Sequence, residues 1–225
     1  TEDELTKIIP KSLASISWKK SMKWSNYTLN WGRPLRSILT IFNQKHLKFK
    51  YSHLETVDFT LVEEDENIIT KKIKNTKEYL EFLRKNEIIL DHKKREKIIL
   101  EKIKSICKNK SFKENVDKSL LLEVSNLVDK PTIVQAKFDK SYLKLPSEVI
   151  KSTLQFHQRY FTLTDNKDRI SNEFILVANK KDTKKLIKIG NESVVDARLS
   201  DASFFWEKDK SLNLIKQINK LKQIT

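Results

Sequence analysis

Two glycines, Gly32 and Gly190, serve the whole 225-residue chain. Loops that cradle phosphate with backbone amides need several glycines within a few residues, so the chain holds neither a Walker A loop nor a G-x-G-x-x-G turn. A nucleotide pocket of the usual kind is therefore excluded. Four prolines, Pro10, Pro34, Pro131 and Pro146, punctuate the hydrophobic patterns instead. The length suits one large domain or two small ones with a real core. A hydrophobic fraction of 38% separates the chain from disordered sequences.

Apolar spacing sets the reading of the elements. Residues 2–23 read as a helix interrupted or entered near Pro10, with Ile8, Leu13 and Ile16 on one face. Residues 35–42 are apolar and partly β-branched, which predicts a strand. Asn43-Gln44-Lys45 makes a turn, and Leu47, Phe49 and Tyr51 then alternate with Lys48 and Lys50, giving a hairpin whose second strand has one basic face. Val57 to Val62 offers a further strand. From 64 to 128 the period becomes helical: Tyr79, Leu80 and Leu83, then Ile99, Ile103 and Ile106 after an Asp91 N-cap, then Leu120, Val124 and Leu127. Strand character returns after Pro131 with Ile133, Val134, Ala136 and Phe138, and again at Phe161 to Leu163. The continuous apolar run Phe174 to Ala178 predicts a central strand.

Pro146 opens a helix with Val149, Ile150, Thr153, Leu154 and His157 on its inner face. After Gly190, Asn191 reads as the cap of a last helix carrying Val194, Val195, Leu199, Ala202 and Phe205. Order and composition argue an α+β fold: a mixed or antiparallel sheet with packed helices and an inserted helical subdomain. The division is 1–63 (helix and sheet), 64–128 (helical insertion) and 129–225 (second sheet part and C-terminal helix).

The net charge of +15 comes mostly from lysine interleaved with glutamate and isoleucine. It fits a polyanionic partner, nucleic acid or an anionic membrane surface, and it equally fits AT-rich coding bias. The run Lys45-His46-Leu47-Lys48-Phe49-Lys50-Tyr51 suits phosphate contacts with base stacking, or an edge strand guarded by lysine. Phe156-His157-Gln158-Arg159-Tyr160-Phe161 is a recognition corner or a packed aromatic junction, and alternation there buries Phe161 and exposes Arg159 and Tyr160. His46, His53, His92 and His157 lack metal-ligand spacing, so no metal site is expected. Cys107, the one cysteine, reads as a bystander thiol, allows no disulfide within the chain and fits a reducing cytoplasm. No apolar run approaches the ~20 residues of a membrane span. The chain opens on Thr1-Glu2-Asp3-Glu4 without a signal-like start and closes on a lysine-rich helical pattern, so both ends read as cuts within a longer chain.

Many short segments carry a resemblance in one order, from about residue 13 to 210. Ser21-Met22-Lys23-Trp24 and Arg33-Pro34-Leu35 come first, then Leu121-Leu122-Glu123-Val124 with Leu127-Val128 and Pro131. Phe138, Tyr142-Leu143-Lys144-Leu145-Pro146 and Glu148 follow, and after them His157-Gln158-Arg159-Tyr160-Phe161 and Asn172, Phe174, Val177 and Asn179. The last are Gly190-Asn191-Glu192 and Ala197-Arg198-Leu199-Ser200-Asp201-Ala202 with Phe204-Phe205 and Asp209. Together they resemble an internal stretch of the β subunit of bacterial two-subunit glycyl-tRNA synthetase. Ser52-His53-Leu54 departs from the Gly-His-Arg run usual there, and the stretch that follows, to about residue 75, is longer than usual.

The resemblance implies a part of an α/β heterotetrameric ligase. The α subunit carries glycine activation with ATP and magnesium, and the β subunit supplies tRNA recognition. It also implies one composite domain like the B3/B4 editing-module fold. This stretch is then expected to be non-catalytic, to hold no cofactor of its own, and to contact glycine tRNA and the α subunit in the cytoplasm. Arg33, Arg36, Lys45, Lys48 and Lys50 are the candidate phosphate contacts. His157, Arg159 and Tyr160 are a candidate nucleotide- or subunit-contacting corner. An assembly scaffold and an editing-type module are the alternatives.

Overall fold

With glycine missing from the turns, other residues take the left-handed backbone. In a computed structural model, Ser25, Asn43, Gln44, Ser52, Glu87, Ser111, Arg159, Asp168 and Lys185 have φ between 47 and 62°, and neither glycine does. Residues 1–64 and 67–212 are described, and they divide into two units, Thr1–Ile88 and Ile89 onward. The lysine-rich helical pattern at 213–225 lies outside the described residues.

The first unit opens with helix α1 (Glu2–Ala14), which has Glu2, Asp3 and Glu4 in its first turn and Pro10 inside. The helix expected to reach residue 23 stops here. α1 buries no residue, and Ser15 Oγ bonds back to Ser12 O to close the last turn. Strands β1 (Met22–Lys23) and β2 (Asn30–Trp31) pair antiparallel. β3 (Ile38–Leu39), β4 (Ile41–Phe42), β5 (Lys45–His46), β6 (Lys50–Tyr51) and β7 (Leu54–Val57) follow. β7 pairs with β3 in parallel and with β6 antiparallel. β8 (Phe59–Glu64) and β9 (Asn67–Lys72) make a longer hairpin. β9 corrects the helical reading begun at residue 64, since the β-branched run Ile68-Ile69-Thr70 suits a paired strand. Helix α2 (Thr76–Lys85), capped by Asn75 through Glu78 N, buries Phe82 and Leu83 against Val62 and Ile73. Tyr79 joins them, while Leu80, expected on that face, points to solvent.

The second unit is layered. Helices α3 (His92–Lys110) and α4 (Lys118–Leu127) are capped by Asp91 and Asp117. β10 (Thr132–Lys137), β11 (Phe161–Thr164) and β12 (Ile170–Ala178) form an antiparallel sheet in the order β10-β12-β11, with the expected strand in the centre. A short 3-10 turn (Lys140–Lys144) precedes α5 (Ser147–Lys151), which runs on as a π-helix through Ser152–His157. The last element is α6 (Leu186–Ser211).

Phe174 and Leu176 of β12 pack with Val134, Ile150, Leu154, Val195 and Leu199. Ile175 packs with Ile99, Ile103, Leu120, Leu121 and Val124. Thus α3 and α4 cover one sheet face, and α5 with α6 covers the other. The α+β class read from the sequence holds. Among the described residues no helix is long and apolar enough to cross a membrane.

Helix α6 does not begin at Asn191. The Asp182 carboxylate accepts from Ile187 N and Lys188 N, both at 2.9 Å, and so starts the helix earlier. Gly190 and Asn191 then lie inside it, and Phe205 falls on its exposed side. Cys107 is buried, and burial pushes its thiol up, consistent with a bystander role.

Arg95 is buried yet faces no carboxylate among the described residues. Its guanidinium donates to Ser125 O at 2.8 Å, to Leu90 O at 2.8 Å and to Ile89 O. Ser125 lies in the last turn of α4, where the helix end carries partial negative charge. One side chain therefore joins α3, α4 and the Ile89–Leu90 segment that enters the unit. Arg95→Leu keeps the volume but leaves three carbonyls without their donor. It is expected to lower stability by about 2–3 kcal/mol in urea unfolding, the scale of charged hydrogen bonds lost in a buried site. A shift below about 0.5 kcal/mol would show that the carbonyls find other partners.

Candidate nucleic-acid interface

The basic strip is built by two hairpins that share a strand segment. Asn43 and Gln44, with φ of 47 and 62°, make the two-residue turn that brings Ile41 opposite His46 and Phe42 opposite Lys45. Leu47 N continues this pairing to Thr40 O at 3.0 Å. Ser52, with φ of 54°, then turns the chain so that Lys50 faces Glu55 and Tyr51 faces Leu54. Between the two hairpins Thr56 acts as a stitch: its hydroxyl donates to Leu47 O and accepts from Phe49 N, both at 3.1 Å. The expected alternation follows. Leu47 and Tyr51 are buried and Phe49 half-buried, while Lys45, Lys48 and Lys50 are exposed.

These lysines border an open groove of about 580 Å³ lined by His46, Lys48, Phe49, Lys50, Glu55 and Asp58 among others. Asp58 is already neutralised by Lys72 Nζ at 2.8 Å, a pair that holds its carboxyl below the usual range and raises the lysine. Glu55 is then the one carboxylate carried by the stretch from Ser15 to Val57, against eight lysines and arginines. His46 lies in the groove with a buried Nε2 that meets no hydrogen-bond partner among the described residues.

Arg33 and Arg36 are exposed on the segment between β2 and β3. Arg36 pairs with Glu63 at 3.8 Å. Arg36 also lines a second cavity of about 290 Å³, walled by Trp24, Tyr27, Leu29, Trp31, Pro34, Leu35, His53 and Leu54. Sequence reasoning missed this cavity. Its signal was present, since three of the four tryptophans, Trp18, Trp24 and Trp31, sit within fourteen residues.

The second group of candidates belongs to the other unit and is built differently. The left-handed Arg159 stops the π-helix, with Tyr160 N returning to Leu154 O at 2.9 Å. The Arg159 guanidinium is engaged by Glu123 at 2.6 Å and by the Phe156 carbonyl. Tyr160, expected to be exposed, is buried: its ring stacks on Phe174 at 5.2 Å and its hydroxyl donates to Asn191 Oδ1. Asn191 Nδ2 in turn donates to Ile187 O. Burial raises the phenol and keeps it a neutral donor. His157, expected on the inner face, is exposed because the wider π-turn rotates it outward, next to the exposed Phe156.

Neither glycine forms a phosphate cradle: Gly190 lies inside α6 and Gly32 lies beneath Trp18. Among the described residues no group of three His, Cys, Asp or Glu could hold a metal.

Residues 1–225 match the family described as glycyl-tRNA synthetase beta subunit. The chain belongs to that family. It is 32% identical over 225 residues to the glycine--tRNA ligase beta subunit of Syntrophotalea carbinolica, covering 100% of this chain and 33% of that protein. Identity is 36% over 219 residues to that of Helicobacter pylori strain HPAG1, with 93% and 31% covered. For Rickettsia prowazekii it is 35% over 225 residues, with 100% and 34% covered. The chain thus spans about a third of the length of the curated relatives it matches.

In this member of the glycyl-tRNA synthetase β-subunit family, the Tyr160–Asn191–Ile187 chain joins the sheet layer to α6. Tyr160→Phe removes the donor and is expected to cost about 1 kcal/mol in urea unfolding, the usual worth of one neutral hydrogen bond. RNA affinity should not change in this variant. A loss of RNA affinity in a fully folded Tyr160→Phe protein would restore the hydroxyl to the contact surface.

Proposed function

We propose that this chain is a non-catalytic, tRNA-contacting part of a glycine–tRNA ligase β subunit. It supports glycylation that the α subunit carries out with ATP and magnesium. The lysine strip carries this reading: three exposed cations on a segment fixed from both sides, in a family whose members are named for glycine–tRNA ligase. Fixed cations meet the phosphate backbone of a folded RNA by shape and charge and need not read sequence. Arg33 and Arg36 extend the cationic surface of the same unit. His157 is the solvent-facing member of the second trio and stays in the proposed contact set, whereas Arg159 is engaged by Glu123 and Tyr160 by Asn191.

A second reading, an assembly scaffold, is favoured by α6. Phe204 and Phe205 are 65% and 57% exposed there, apolar surface suited to the α subunit or to the remainder of β. Co-elution of this chain with the α subunit in the absence of RNA binding would favour it.

Lys48→Glu combined with Lys50→Glu tests the first reading by fluorescence anisotropy of labelled glycine tRNA over a salt series. Each lost phosphate contact should lower the slope of log affinity against log salt by about one. The double variant is therefore expected to bind more weakly with a slope shallower by about two, at unchanged circular dichroism. Unchanged affinity in the folded double variant would overturn the strip as the contact surface.

A further inference from the structure

The aromatic cavity of the first unit is not used by the lysine strip. We propose that it takes one unpaired, stacked base of a single-stranded RNA segment, an inference that rests on the RNA-contacting reading above. Tyr27 and His53 stack face to face at 3.5 Å with an interplanar angle of 5°, and Tyr27 remains 48% exposed. The walls are fixed from behind. Trp24 Nε1 donates to Trp31 O at 3.0 Å, Trp31 packs on Trp18 with centroids 4.9 Å apart, and Trp18 lies so close over Gly32 that an added Cβ would meet it at 2.9 Å. A volume of about 290 Å³ lies near the ~300 Å³ lower limit of small-ligand pockets, room for one planar ring system rather than a folded peptide.

Charge decides among planar occupants. Arg36 lines the cavity, and its exposed pairing with Glu63 at 3.8 Å is weak enough to exchange for a phosphate. The stretch that builds the cavity carries eight cations and Glu55 alone as carboxylate. An aromatic slot beside a guanidinium in a cationic field matches an unpaired nucleotide, which offers a π-face and a phosphate together. A duplex, with its bases already stacked, offers only the phosphate.

The test titrates the full chain with a short oligoadenylate and with a blunt-ended RNA duplex, reading tryptophan fluorescence and anisotropy. Oligoadenylate should quench the fluorescence, because Trp24 and Trp31 line the cavity. Tyr27→Ala should weaken oligoadenylate binding about fivefold or more, the low end of one base–aromatic stack, while Tyr27→Phe retains it. Duplex binding should be the same in all three proteins. Equal oligoadenylate affinity in Tyr27→Ala, or binding without quenching, would overturn the pocket and leave the lysine strip standing. Quenching by the α subunit with RNA inert would assign the cavity to a protein partner and overturn it. If the unaltered chain binds neither RNA, the RNA-contacting reading fails with it.

Discussion

Strand β12 is buried on both faces at its centre, and the second unit is organised by that constraint. Phe174 and Ile175 are neighbours with 0% exposure. Successive side chains of a strand point to opposite faces, so two helical layers are needed to cover them. Each buried apolar side chain of this size contributes about 1.5–3 kcal/mol. α3 and α4 cover Ile175, and α5 with α6 covers Phe174 and Leu176. The polar end of the strand is handled locally, with Glu173 held by Lys110 at 2.7 Å. Arg95 and Tyr160 then fasten helices to this layered stack through hydrogen bonds that no apolar residue could replace.

The first unit follows a different economy. Its strands β1 to β6, two residues each, are held by side-chain stitches such as Thr56 and by aromatic contacts around Trp31, and its apolar core is smaller. Lysine and arginine therefore stand on short, pinned segments with few carboxylates near them. All the proposed RNA contacts except His157 fall in this unit, while the second unit supplies layered bulk and an exposed aromatic surface on α6.

Much of the second unit was legible in the sequence, because its signals are strong and local. Asp91 reads as a cap and is one, and the run Phe174 to Ala178 reads as a central strand and is one. Three failures there share a physical cause: a tertiary or medium-range contact overrode local pattern. Asp182 started α6 before Asn191, and a π-turn rotated His157 outward while Arg159 turned Tyr160 inward. In the first unit the alternation of Leu47, Phe49 and Tyr51 against Lys48 and Lys50 was readable. The cavity was signalled only by the crowding of Trp18, Trp24 and Trp31, whose spacing fits no helix or strand period, and His53 joins it from the turn between β6 and β7.

The central claim is that the cationic first unit is the part that meets tRNA. Ultraviolet cross-linking of glycine tRNA to this chain, with adducts located by mass spectrometry, tests it most directly. The account predicts adducts concentrated between Trp24 and Tyr51, within the segments that carry Arg33, Arg36, Lys45, Lys48 and Lys50. Adducts confined to the second unit, around Phe156 or Phe204, would contradict it.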